Sequence, residues 1–128
     1  MKRLSAALLG LSVLGAIALA PTAALANCQT GNCWGAVAYG PRGAWAYAVN
    51  YPTRAIAGSQ AQQRCGGRCN HVLTFQNSCG AYASGPSASS YYGWGNAPTR
   101  AAAEARALQE CNARGAYCAI RVWGCTQR

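Results

Sequence analysis

Pro52-Thr53-Arg54-Ala55 recurs as Pro98-Thr99-Arg100-Ala101, and the same offset of 46 residues carries Cys65 onto Cys111 and Cys79 onto Cys125. Cys69 answers to Cys118 with three residues gained on one side and lost on the other. Upstream, Gly35-Ala36-Val37-Ala38-Tyr39-Gly40 parallels Gly80-Ala81-Tyr82-Ala83-Ser84-Gly85. The chain from about residue 34 is therefore two copies of one unit, roughly 34–78 and 79–128. Each is too small to bury an apolar face alone, so the copies should fold together.

Working outward from Pro52, the proline biases Tyr51 to extended backbone, and Thr53 can cap a helix running to about Cys65. Gly66-Gly67 ends that helix. Before it, Trp34 to Tyr39 and Ala44 to Val49 alternate with the period of a strand, separated by the turn Gly40-Pro41-Arg42-Gly43. Val72 to Phe75 resumes strand character. The second copy repeats the order with Gly80 to Ser84, Tyr91 to Asn96, Thr99 to Cys111 and Ala119 to Trp123. The expected fold is α+β: two tandem strand-strand-helix-strand repeats, an antiparallel sheet with two helices packed on it, stabilised by disulfides.

In the first hairpin Ala36, Ala38, Ala44, Ala46 and Ala48 share one face, and Val37, Tyr39, Trp45, Tyr47 and Val49 the other. Ala57, Ala61 and Cys65 make a matching small stripe on the first helix, as do Ala103, Ala107 and Cys111 on the second. Small against small lets helix and sheet approach closely. The bulkier faces then either meet each other or stay partly open.

Residues 1–26 read as a cleaved secretory signal: Lys2 and Arg3, an apolar run from Leu4 to Ala20, Pro21, and a small-x-small site at Ala24-Leu25-Ala26. Lipidation at Cys28 is the lesser alternative, because Asn27 stands where a lipoprotein signal wants a small residue. No later segment is apolar enough to span a bilayer, so the expected location is secreted or periplasmic with no transmembrane segment after cleavage. The remaining residues, 27–128, suffice for a single domain. They hold nine arginines, two glutamates and no aspartate, a formal charge of +7. Such a domain is drawn to anionic partners: a glycan, a lipid headgroup, an acidic protein or a nucleic acid.

All eight cysteines, Cys28, Cys33, Cys65, Cys69, Cys79, Cys111, Cys118 and Cys125, follow the leader, the pattern of a disulfide framework in a short exported chain. Eight cysteines allow 105 pairings, which the sequence does not decide; the repeat favours pairing each helix-end cysteine with the next, Cys65 with Cys69 and Cys111 with Cys118. Cys79 with Cys125 would then cross-link the halves, leaving Cys28 with Cys33. The competing reading is a zinc set of Cys65, Cys69, His71 and Cys79, which lacks a close C-x2-C knuckle and finds Ala119 near the place of His71 in the second copy.

Catalytic chemistry finds little to work with. The only acids, Glu104 and Glu110, stand six apart on one helix, where ion pairs with Arg100 and Arg114 suit them better than paired-carboxylate hydrolysis. His71 is the single imidazole and has no aspartate to orient it. Ser84 to Ser90 lacks a nucleophile elbow, and no phosphate loop is present. No catalytic residue, metal or cofactor is assigned.

Two binding candidates remain. Arg54 and Arg100 sit in the first turn of their helices, where the macrodipole disfavours a cation by about 0.3–1 kcal/mol. With the caps Thr53 and Thr99 they form candidate anion sites; the structural alternative has each guanidinium stacked on an aromatic such as Tyr51 or bonded to a strand-end carbonyl. Trp45, Tyr47, Tyr91, Tyr92 and Trp94 form a candidate platform for sugar rings or bases, unless they are core.

Trp34-Gly35-Ala36-Val37-Ala38-Tyr39, Tyr51-Pro52-Thr53-Arg54-Ala55, Cys79-Gly80-Ala81 and Pro98-Thr99-Arg100-Ala101-Ala102-Ala103-Glu104-Ala105 together resemble the domain of unknown function family 4189. The resemblance covers nearly all of the chain after the leader. It implies a small exported bacterial protein with a two-unit α+β domain, and brings no established activity or catalytic residues. Gly58-Ser59 departs from the family's Glu-Ala and should soften the first helix. The expected function is a secreted, non-enzymatic binding or interaction module with an anionic partner; the alternative is a small extracytoplasmic hydrolase or hydrolase inhibitor.

Overall fold

A computed structural model describes residue 28 and residues 31–86 and 91–126. The proposed leader, residues 1–26, lies outside the described residues. Element order is β1 (Trp34–Tyr39), β2 (Trp45–Tyr51), α1 (Arg54–Arg64), β3 (His71–Gln76), β4 (Cys79–Ser84), β5 (Tyr92–Ala97), α2 (Arg100–Asn112) and β6 (Ala119–Cys125). A short 3-10 turn, Pro41–Gly43, joins β1 to β2.

The strands divide into two antiparallel three-stranded sheets, β2-β1-β3 and β5-β4-β6, rather than one sheet carrying both helices. The cause is local. In each unit the first strand pairs with its hairpin partner on one side and with the strand after the helix on the other, which occupies both its edges.

Each helix covers its own sheet through small residues. Ala57 and Ala61 of α1 and its C-cap residue Cys65 pack on Ala36, Ala38, Ala46 and Ala48, and Ala103, Ala107 and Cys111 of α2 pack on Ala81 and Ala83. In the second unit the approach is closer still. Gly93 and Gly95 of β5 stand opposite Ala83 and Ala81, and a methyl group at Gly95 would run into the carbonyl of Ala103 and lie 2.8 Å from the amide of Ala107. The corresponding positions in the first unit, opposite Ala38 and Ala36, are Ala46 and Ala48.

The other faces of the two sheets meet. Val37, Tyr39 and Phe75 of the first sheet pack with Tyr82 and Val122 of the second, giving helix, sheet, sheet, helix in section. The buried ring of Phe75 lies against Gly35 and Gly80, which are equivalent in the repeat and have no side chain to displace it.

All eight cysteines are paired, as Cys28–Cys33, Cys65–Cys69, Cys79–Cys125 and Cys111–Cys118. Cys79 and Cys125 face each other in the β4/β6 register. This bridge therefore closes the second sheet internally, and the expectation that it cross-links the halves is corrected; apolar packing between the sheets holds the halves together. Cys65, Cys69 and Cys79 are thereby all committed to sulfur partners, so the zinc set with His71 is not what the chain builds.

Two irregularities break the repeat. In β2 two residues, Val49 and Asn50, oppose the single Gly35, and Asn50 takes φ 66°. In β6 Arg121 is the extra residue, because Tyr82 and Ala83 pair with Val122 and Ile120. Such bulges redirect a side chain from its regular face. Ile120 accordingly joins the helix side of its sheet and Val122 the inter-sheet side.

Candidate functional site

The two helix starts use the same device. Thr53 and Thr99 have extended backbone and accept from the N–H groups of Ile56 and Ala102, each at 3.2 Å, satisfying one of the amides a helix leaves unpaired. Arg54 lies over the Trp34 ring at 4.9 Å and Arg100 over Trp123 at 3.7 Å. Their aromatic partners are thus strand tryptophans, and Tyr51 instead accepts from Arg64 at 3.1 Å. Arg100 also pairs with Glu104 at 2.7 Å. Ring stacking compensates the unfavourable dipole position at both ends.

Other arginines hold backbone oxygens. Arg64 donates to the Tyr47 carbonyl at 2.8 Å, Arg106 to Asn96 at 3.4 Å and Arg114 to Tyr92 at 2.8 Å. These carbonyls belong to β2 and β5, one edge strand of each sheet, so the guanidinium groups blunt edges that would otherwise template further pairing. Arg114 makes this contact rather than the ion pair with Glu110 expected from their spacing. Trp94, with 44% of its surface exposed, shares a shallow cleft of about 390 Å³ with Arg106, Glu110 and Arg114.

The five platform aromatics do not form one surface, which corrects the expectation of a single platform. Tyr91 packs on Gly115 and donates to the Ala116 carbonyl. Tyr92 joins an interior stack with Tyr39 and Tyr82, whose rings lie 4.5 Å apart and nearly parallel. His71 covers Tyr39 at 5.1 Å. Burial pushes the Tyr39 phenol up to about 12, reinforced by Tyr92 and Tyr82, and burial also raises that of Tyr82. Both carboxylates of the described residues stand on α2, and His71, on β3, has ring contacts only.

Trp45 and Tyr47 remain together. They overhang the seam between the sheets, where β2 meets β6, and with Trp123 they line a cleft of about 340 Å³. Exposure of the three is 44%, 43% and 38%. Arg121 also lines this cleft; its Nε donates to Ser84 Oγ at 3.0 Å and its Nη2 to the Gly85 carbonyl at 2.9 Å. Sequence reasoning missed Trp123 and Arg121. The signal for Trp123 was its place beside the strand-helix repeat, but nothing in the sequence announces the bulge that turns Arg121.

This duplicated architecture has relatives. The profile of the domain of unknown function family DUF4189 matches residues 34–125. Protein Mb1300c of Mycobacterium bovis and Protein Rv1269c of Mycobacterium tuberculosis are each 40% identical over 92 residues, covering 72% of this chain and 68% of theirs. The NMR structure of Rv1813c from Mycobacterium tuberculosis is similar with a TM-score of 0.58 and 29% identity, over 98% of this chain and 94% of that one. The match over both repeats, from the start of β1 to the end of β6, shows that the chain belongs to the DUF4189 family.

Proposed function

We propose that the chain is the precursor of an exported, non-enzymatic binding module whose arginine surface engages an anionic partner outside the cytoplasm. The observation that carries this reading is that the arginines are positioned without being neutralised. Seven of the described arginines are fixed by a ring, a hydroxyl or a backbone oxygen, yet the one ion pair among the described residues is Arg100 with Glu104. Guanidinium groups held this way keep most of their donors and their charge, and lose little further side-chain entropy when an anion arrives. The leader-like residues 1–26 and a fully oxidised set of cysteines support export. Among the described residues no helix is long and apolar enough to cross a membrane.

The test is binding of the oxidised protein to immobilised glycans, phospholipids and nucleic acids at about 0.1 M and about 1 M salt, between which the screening length falls from roughly 10 to 3 Å. Retention on an anionic surface at low salt and its loss at high salt is the expected result. Absence of retention on every anionic surface at low salt would refute the reading. A His71→Ala variant should bind like the parent, whereas the hydrolase alternative requires His71 for turnover.

A further inference from the structure

The seam cleft combines three features that the general reading does not use. First, Trp45, Tyr47 and Trp123 are left about two-fifths exposed around a single concavity. Large aromatic rings are the costliest side chains to leave wet, and a concavity lined by them is the usual form of a ligand site. Second, the β6 bulge falls on Arg121, the cation of that concavity. Its Nε and Nη2 are anchored to Ser84 and Gly85, and Nη1 carries none of these bonds. The guanidinium is thus fixed with one nitrogen still able to donate. Third, the lining side chains offer ring faces, indole N–H groups, a phenol and a guanidinium, with no carboxylate or carboxamide.

The donor inventory selects the ligand. A neutral sugar presents hydroxyl protons as readily as lone pairs and finds only the Tyr47 phenol among the lining side chains to accept them, whereas a carboxylate only accepts. Ring faces suit the apolar face of a pyranose. A nucleic-acid strand would also stack, but grooves that track a strand run over several nucleotides, and a cleft of about 340 Å³ holds one or two rings. We propose that the seam cleft binds an acidic glycan, with a pyranose ring against Trp45, Tyr47 and Trp123 and a uronate carboxylate on Nη1 of Arg121. Arg100, stacked on Trp123 at 3.7 Å and itself held by Glu104, keeps that indole in position. This assignment rests on the anionic-partner reading and narrows it to one site and one chemistry.

The experiment follows the indole N–H resonances of the 15N-labelled, fully oxidised protein during titration with tetragalacturonate, a neutral galactose tetramer and a thymidine tetranucleotide. Tetragalacturonate should shift the indoles of Trp45 and Trp123 and leave that of Trp94, on β5, unmoved. The neutral tetramer should bind at least about tenfold more weakly, and Trp45→Ala or Tyr47→Ala, both at exposed positions outside the core, should each weaken the uronate about tenfold or more. Unchanged affinity in both variants, or shifts confined to Trp94, would overturn the site while leaving the anionic-partner reading standing. Tighter binding of the tetranucleotide at the same indoles would overturn the ligand class. Failure of the uronate, the tetranucleotide and every polyanion at low salt would remove both readings together.

Discussion

Gly95→Ala adds one methyl group where β5 lies, as it does at Gly93, directly against the α2 backbone. That methyl would overlap the Ala103 carbonyl and sit 2.8 Å from both the Ala107 amide and Arg106 Cβ. Two of these obstacles are helix backbone, so no rotamer change relieves them and α2 must move off β5. Overpacking in a core costs about 1–3 kcal/mol, and a clash with backbone belongs at the upper end, about 3 kcal/mol. For a domain of this size about 3 kcal/mol lowers the melting temperature by about 12 °C or more. Gly58→Ala supplies the control within the other helix. There the new methyl meets only Val72 Cγ1 at 3.7 Å and Thr74 Cγ2 at 3.8 Å, ordinary van der Waals distances. Removing a helix-interior glycine should then stabilise by up to about 1 kcal/mol. Thermal unfolding followed by circular dichroism on the oxidised protein compares the two. Shifts of the same sign, or a Gly95→Ala loss below about 4 °C, would refute the picture of a helix seated on a side-chain-free strand.

Removing the Cys79–Cys125 bridge should cost about 4 kcal/mol by chain entropy, since it closes 46 residues, against about 2 kcal/mol for Cys65–Cys69, which closes 4; denaturant unfolding of the two double-alanine variants checks the order. Thr53→Ala and Thr99→Ala should each lose about 1 kcal/mol in the same assay, as each removes a helix cap. Tyr39, raised to about 12 from its ordinary value of 10.0, favours the protonated fold. Its contribution is complete below pH 10 and is lost as pH rises from there through about 12, so ultraviolet titration should show late tyrosine ionisation from Tyr39, with Tyr82 shifted in the same direction, together with alkaline loss of stability.

Much of this architecture is legible in the sequence because it is written twice. The Pro-Thr-Arg-Ala recurrence locates both caps, and alternation in Trp34 to Val49 locates the first hairpin and its small face. The division into two sheets was not legible, because strand alternation states which residues share a face and not which strands share hydrogen bonds. The seam cleft was legible only in part. Trp45 and Tyr47 stand out by composition, but Trp123 joins them through packing between sheets, and Arg121 through a one-residue bulge. Tyr91 and Tyr92 misled for the converse reason: Tyr91 stands just before β5 and Tyr92 begins it, and each found a separate structural partner, Ala116 for one and Tyr39 for the other.

The claim that the seam cleft, with its positioned Arg121, takes an acidic glycan is tested most directly by removing the ligand's charge while keeping its rings. Calorimetric titration of the oxidised protein with a galacturonate oligomer, and with the same oligomer methyl-esterified, presents identical rings with and without carboxylates. Saturable binding of the acid is expected at low salt, with binding at least about tenfold weaker for the ester. Equal affinity for the two, or no binding of the acid, would contradict it.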